Sequence, residues 1–507
     1  MTFAYLGTVG MRSEGARLVR ETPISRRAAL SLLGGAAVVS AVGACTTKTP
    51  SVDTMTVARW VSERGEQYLV GHRGSGDVVP EHTLEAYEAA LSWGAKALEI
   101  SVVQTKDRVL FCQHDLTFDR TTTLTGAAAD IDSSRLASGR VAVPRLGPRW
   151  LGAGAPRIAR LNDVLDRVGH RAVLCIEAKD NAAYPAVVDL LEKKGLKDSA
   201  VIKLHATSSR FTEARGAGYP IFGYLGSFAE TTVERVRELA SKLDPQTDYL
   251  VIPGNENGEW LSEAVVKTAV ATRVPVWVFG VHRRSELQRH HLLGAVGAVG
   301  SSVGYLSGRI APVREAGWGG EAISPGEMTR RPESDAYGLR WPGDGSVGLG
   351  LDGRQAFLTL GHMAPLRQAI GPYQVDIEVR VDVMPSQGSA SFSLAFGHGD
   401  DRYYEHRQGQ LDGYHALLRM DGTLELWSHS AGMVDGRTLG PGVPGPTPKV
   451  GTWVPLRLTV TPSEITWSRL DTGAVIVVQD DRFRGDYIHV GSAATDGRIS
   501  LRRLSIA

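Results

Sequence analysis

Between positions 68 and 300 the apolar residues come in short runs separated by helical patterns. The runs 68–71, 97–103, 109–113, 172–178, 199–204, 219–225, 248–252 and 274–280 have strand length, and 295–300 is a further candidate. Between them, 81–93, 184–194, 230–241, 259–272 and 284–293 carry apolar positions at helical spacing. In the first of these Leu84, Tyr87 and Leu91 share a face, and Pro80 precedes it. Such alternation predicts parallel strands with crossover helices, and about eight units predict a closed TIM-type (β/α)8-like barrel over 67–311. One link breaks the pattern. Residues 104–108 are too few for a parallel crossover, so the strands beside them pair as a hairpin or are offset.

Residues 312–335 mix Gly, Pro and charge without periodicity and read as a linker. Beyond it, over 336–507, the period changes to two. Stretch 374–383 alternates strictly, with Val375, Ile377, Val379, Val381 and Val383 on one side. Further short runs fall at 391–396, 414–419, 424–428, 454–459, 464–469, 474–478 and 498–506, with turn pairs such as Asp421-Gly422 between them. Many short alternating strands without helices predict an all-β, antiparallel sandwich.

Composition alters this picture little. A chain of 507 residues with a net charge of +1 and no basic run disfavours a nucleic-acid partner. Residues 1–45 read as a segment outside the fold. Ser25-Arg26-Arg27 precedes an apolar stretch, 28–44, that is short for a membrane span and resembles a twin-arginine export signal. It ends in Val42-Gly43-Ala44-Cys45, which is similar to a bacterial lipobox, and 46–66 reads as a tether. The expectation is an exported protein at the bacterial cell surface or periplasm, anchored to the membrane by lipid on Cys45. Cys112 and Cys175 fall in predicted strands and are expected to be free core thiols.

The chemistry gathers at strand ends. His72-Arg73-Gly74 follows the first run, Glu99 lies in the second, His114-Asp115 follows the third, and Glu177-Ala178-Lys179 closes the fourth. That is how a barrel enzyme's rim reads in sequence. Two histidines can exchange protons near neutral pH, the carboxylates suit Ca²⁺ or Mg²⁺, and Arg73 and Lys179 match a phosphate. Any one cluster alone reads as a turn or a surface ion pair. Four in order point to metal-assisted phosphoester chemistry.

At 67–310 the chain resembles the glycerophosphodiester phosphodiesterase family, on His72-Arg73-Gly74, Pro80-Glu81-His82-Thr83, Glu99-Ile100-Ser101, Thr105-Lys106-Asp107-Arg108, His114-Asp115, Arg120-Thr121-Thr122 and Glu177-Ala178-Lys179. It departs at His82 and His282, where the family has Asn, and at Ser101 and Ser301, where it has Asp. The resemblance implies hydrolysis of glycerophosphodiesters to glycerol 3-phosphate and an alcohol. It assigns a divalent metal, Ca²⁺ or Mg²⁺, to Glu99 and Glu177, with Ser101 at the place of a lost ligand. Arg73 and Lys179 then hold the phosphate, His72 and His114 act as acid and base, and Glu81 orients the first histidine's loop or a substrate hydroxyl. The long segment 116–157 is expected to shape the pocket, with Trp150 either lining it or in the core. His290-His291 read as solvated helix residues.

Two other functions stay open. One is the same fold acting on sphingomyelin, a lysophospholipid or a teichoic-acid polymer. The other is a non-catalytic surface binding protein with a degenerate metal site, which Ser101, His82 and Ser301 favour. The C-terminal region resembles jelly-roll modules related to concanavalin A and laminin G. Its Tyr403, Tyr404, Tyr414, Trp427 and Trp467 are candidates to stack on a cell-surface glycan, with core packing the competing reading.

Overall fold

Eight strands run parallel around a closed ring in the computed structural model, and a ninth pairs outside it. They are β1 (Tyr68–Gly71), β2 (Ala97–Gln104), β3 (Leu110–Cys112), β4 (Val173–Ala178), β5 (Ala200–His205), β6 (Ile221–Tyr224), β7 (Tyr249–Pro253), β8 (Val276–Val281) and β9 (Gly297–Gly300). The spatial order is β1-β9-β8-β7-β6-β5-β4-β2-β3, and pairing of Gly71 with Leu98 joins β1 to β2 and closes the barrel. The odd strand is β3, antiparallel to β2 with Val102 opposite Cys112. The short link is therefore a hairpin. Thr105 N–H bonds the Val109 carbonyl at 2.9 Å, and Arg108 takes the left-handed conformation that the turn needs. The structure describes residues 53–256, 258–310, 314–331, 339–350, 356–360, 371–386, 391–402, 412–433, 436–493 and 496–507. Cys45 and the export signal lie outside these residues, as do the start of the tether and Tyr403 and Tyr404. Among the described residues no helix is long and apolar enough to cross a membrane.

The period of two in each strand divides the barrel's side chains into two cores. Val70, Ala97, Val173, Cys175, Val201, Phe222, Val251, Trp277 and Val299 fill the interior. Leu98, Ile100, Leu174, Ile176, Ile202 and Val278 face the surrounding helices. The first helix, α1 (Val57–Glu63), stops the interior with Trp60, which packs edge-on to Tyr68 and Trp277. Next comes α2 (Leu84–Ser92), capped by the Thr83 hydroxyl accepting from Ala86 N–H. Cys112 and Cys175 are buried and unbridged, and burial pushes the Cys112 thiol up to about 12.

After β3 the segment 116–157 folds over the barrel on a small core of its own, including Phe118, Ile131, Leu136, Val141 and Leu146. Trp150 packs against that cluster and against Val78 and Val79, so its role is packing.

C-terminal to the barrel stand two antiparallel sheets. One has seven strands in the order Glu327–Met328, Ala356–Leu360, Gly485–Ser492, Ser391–Gly397, Gly413–Arg419, Leu424–His429, Arg437–Thr438. The other has six, in the order Val347–Leu349, Arg498–Ile506, Tyr373–Val383, Trp453–Val460, Glu464–Arg469, Ala474–Gln479. Val375, Ile377 and Val379 meet Leu394, Leu418 and Val490 in a shared core, whereas Val383, at the strand's end, is exposed.

Three expectations are corrected here. The stretch read as a tether, 46–66, holds the helix Val57–Glu63, whose Trp60 is buried in the barrel's interior core. The proposed linker is part of the fold: Trp318 is buried in the sandwich core, Ala316 N–H bonds Leu504 O, and Glu327–Met328 is an edge strand. A single buried Trp anchors a stretch of turns that has no periodicity to read. Among the glycan candidates, Tyr414 and Trp467 are fully buried, with Tyr414 Oη bonded to Asp480 and Trp467 Nε1 to the Leu417 carbonyl. The core claimed them. The sandwich also grips the barrel. Buried Asp401 accepts from the backbone N–H of Arg284 (2.7 Å) and Ser285 (2.9 Å) at the start of the helix Arg284–Leu292, and from Tyr305 Oη (2.7 Å).

Candidate active site

At the C-terminal ends of the strands the inward positions turn polar, because the same two-residue period carries Glu99, Ser101, Glu177, Lys203 and His205 to the barrel mouth. A cavity of about 330 Å³ opens there, lined in part by His72, Arg73, Glu99, His114, Lys179, Lys203, His205, Tyr224 and Glu230.

His72 follows β1 and is 6% exposed. Its Nδ1 lies 2.7 Å from Ser301 Oγ, just past β9, so two neighbouring strands fix the ring. Arg73 takes a left-handed φ of 53°, which turns its N–H onto Glu99 Oε2 at 3.1 Å. Gly74 follows at φ 88°, where a Cβ would meet that of Ala86 at 2.6 Å. His114 follows β3, with Nδ1 2.7 Å from Asp115 Oδ1, and Asp115 Oδ2 accepts from Arg120 Nε at 2.6 Å. Burial, and then Arg73, hold the His114 imidazole below its ordinary pKa despite the opposing Asp115 bond. Burial opposes ionisation of Asp115 itself, but the bonds from His114 and Arg120 outweigh it and keep the carboxyl well below its usual range.

Glu81, expected to orient the first histidine's loop or a substrate hydroxyl, is not among the residues lining the cavity and bonds that loop. Its oxygens accept from Arg73 Nη1 (3.2 Å) and Arg120 Nη2 (2.7 Å), so it positions both arginines. His82 is buried beside it at φ 57°, a backbone region that Asn and His enter more readily than most residues. Its Nδ1 meets Tyr87 Oη at 2.7 Å, and burial lowers its pKa to about 3, so it is a neutral structural group. His282 is likewise buried, paired to Asp77 Oδ2 at 2.7 Å outside the cavity lining. His290 is fully buried rather than solvated, with Nε2 3.2 Å from the Gly254 carbonyl, and burial takes its pKa to about 4.

The two carboxylates assigned to a metal are both nearly buried, and a lysine stands between them. Lys203 Nζ lies 2.7 Å from Glu99 Oε1 and 2.9 Å from Glu177 Oε2. Ser101 donates to Glu99 Oε1 at 3.3 Å, while Glu177 Oε1 accepts from Tyr224 Oη at 2.6 Å and pairs with Lys179 Nζ at 3.3 Å. Glu99 thus has a donor to each oxygen, whereas Glu177 Oε2 stands at ion-pair distance from Lys203 without accepting a hydrogen bond. Among the described residues no group of three or more His, Cys, Asp or Glu side chains is arranged to hold a metal ion. A divalent ion would have to sit between Glu99 and Glu177, and there the Lys203 ammonium already stands, so these donors do not fit one.

Residues 72–298 match the model of the Glycerophosphoryl diester phosphodiesterase family. The match spans the barrel from His72 to Ala298. Over 129 residues the chain is 36% identical to the glycerophosphodiester phosphodiesterase of Bacillus subtilis (strain 168), covering 24% of this chain and 43% of that protein. Over 79 residues it is 40% identical to the probable glycerophosphodiester phosphodiesterase 1 of Mycobacterium tuberculosis (strain H37Rv), covering 15% and 29%. The chain thus spans less than half the length of these curated relatives. A solved glycerophosphoryl diester phosphodiesterase from Parabacteroides distasonis aligns at 18% identity over 51% of this chain and 92% of its own, with a TM-score of 0.41.

Lys203, His205 and Glu230 are site residues that the motif reading missed. Lys203 and His205 share the inward parity of Val201 on β5, the rule that pairs Glu99 with Ser101. Glu230 lies on the loop after β6, bonded to His205 Nε2 at 3.1 Å, and no pattern in the chain marks it.

Proposed function

We propose that the barrel hydrolyses phosphodiesters of glycerol to glycerol 3-phosphate and an alcohol. The observation that carries this reading is the pairing of His72 and His114 with the cations Arg73 and Lys179 around one cavity. Arg73 and Lys179 offer donors to the non-bridging phosphate oxygens, a fixed field for the charge that builds in the transition state. An ionised carboxylate only accepts hydrogen bonds, so Asp115 keeps the proton of His114 on Nδ1 and leaves the Nε2 lone pair to act. His114 is therefore read as the base, taking the proton of the attacking water or glycerol hydroxyl as its oxygen bonds to phosphorus. His72 then protonates the alcohol oxygen as its bond to phosphorus breaks. Attack by the glycerol hydroxyl gives a cyclic ester, which water opens with the two roles exchanged.

Turnover assays on glycerophosphocholine, sphingomyelin, a lysophospholipid and a teichoic-acid polymer test the reading. It expects glycerol 3-phosphate from the first, and it fails if none is released.

Export and lipid anchoring at Cys45 belong to the same reading on sequence grounds, with the membrane as partner. Membrane fractionation of the wild type and Cys45→Ser tests them: only the variant should appear as soluble protein.

A further inference from the structure

We propose that Lys203 is a built-in cation that replaces the divalent metal at this site, so that diester cleavage proceeds without metal. The inference rests on the hydrolase reading above and deepens it.

Geometry comes first. The ammonium sits between Glu99 Oε1 (2.7 Å) and Glu177 Oε2 (2.9 Å), the two groups to which the family resemblance assigns a metal. Strand register sets it there. Ser101 pairs with Glu177 across β2 and β4, and Ile176 pairs with Ile202 across β4 and β5, which brings Lys203 beside Glu177. Because the Lys203 side chain is only 10% exposed, an ion cannot enter between the carboxylates without expelling the ammonium.

Charge comes second. Two carboxylates with one ammonium carry one net negative charge, as three carboxylates with one divalent ion would. Ser101 in place of a third carboxylate and Lys203 in place of a metal are thus one compensated exchange. Either change alone would leave the buried cluster out of balance, and uncompensated buried charge is strongly destabilising.

Reach comes third. Lys203 also lines the cavity beside Arg73 and Lys179. An ammonium has three N–H donors; one bonds Glu99 Oε1, and Glu177 Oε2 is held at ion-pair distance. The remaining donor capacity can turn to a phosphate oxygen, so the lysine both holds the carboxylates and meets the substrate. Tyr224, with its ring 4.7 Å from the ammonium, walls off the other side.

The test uses the full chain after dialysis against chelator. Turnover of glycerophosphocholine should match that of the untreated protein within about twofold, and titration calorimetry with Ca²⁺ or Mg²⁺ should show no site that Glu99→Gln removes. Lys203→Ser should lower turnover by roughly 10²-fold or more, as loss of one transition-state donor does. The pair Lys203→Ser with Ser101→Asp should acquire a Ca²⁺ or Mg²⁺ site and metal-dependent turnover. Loss of wild-type activity on chelation with recovery on adding metal would overturn the proposal. So would a wild-type metal site abolished by Glu99→Gln. If no diester is turned over under any condition, the hydrolase reading fails, and calorimetry on the wild type still decides whether Lys203 has taken the metal's place.

Discussion

Ser301 Oγ lies 2.7 Å from His72 Nδ1, and both residues are buried. A hydroxyl can donate or accept, so this contact orients the ring in either tautomer. Ser301→Ala leaves a buried ring nitrogen without that partner, a loss of about 1–3 kcal/mol. The expected result is a fall in kcat of roughly tenfold or more with KM little changed, recovered by Ser301→Thr. Steady-state kinetics on glycerophosphocholine check it, and an unchanged kcat in Ser301→Ala contradicts the positioning role.

His72 and His114 are expected to act as one unit. Each alanine variant should lose on the order of 10²–10⁴ in turnover while keeping its fold by circular dichroism. The double variant should be little worse than either single one, because removing one partner already disables the pair. Losses that multiply in the double variant would show two independent contributions.

The dyad of His114 and Asp115 makes a pH prediction with a definite sign. His114 is held below its ordinary pKa by burial and by Arg73, and the bond to Asp115 pushes the other way. Asp115→Asn removes that upward push, so the His114 pKa falls further. The acid limb of kcat/KM should move to lower pH, and kcat at the optimum should fall because an amide no longer fixes the proton on Nδ1. A shift of the limb to higher pH would contradict His114 as the base.

Much of the barrel was legible because short apolar runs and helical periods alternate with little interruption. The predicted run 97–103 is the strand Ala97–Gln104, and 172–178 is Val173–Ala178. Helices were harder where they are short. Phe211–Gly216, a turn and a half with only Phe211 and Ala214 buried, carries too few apolar positions to display a period. In the sandwich the missed strand Gly485–Ser492 is internal to its sheet, yet Gly485 and Gly491 interrupt its alternation because neighbouring backbone leaves no room for a Cβ at either, and buried His489 adds a polar residue between them. At the site, motifs located the histidines but not Lys203, because a lone lysine in an apolar run reads as a solvated strand position. Only the closed barrel shows that its side chain turns inward to the carboxylates.

Asp401 ties the sandwich to the barrel through three hydrogen bonds. Asp401→Ala would remove the acceptor of two helix-start N–H groups and of the Tyr305 hydroxyl, a cost of about 2–4 kcal/mol. Urea denaturation should show a lower midpoint, while turnover of small diesters by the folded protein should stay near wild type, since Asp401 lies outside the catalytic cavity. An unchanged midpoint would mean that this contact contributes nothing to holding the two parts together.

Hydrolysis of a glycerol phosphodiester by the two histidines is tested most directly by phosphorus NMR of glycerophosphocholine incubated with the full chain. The wild type should replace the diester resonance with that of glycerol 3-phosphate, and His72→Ala and His114→Ala should leave the diester in place over the same time. A diester resonance that persists with the wild type, whether Ca²⁺ or Mg²⁺ is added or chelated, would contradict the account, as would equal conversion by either variant.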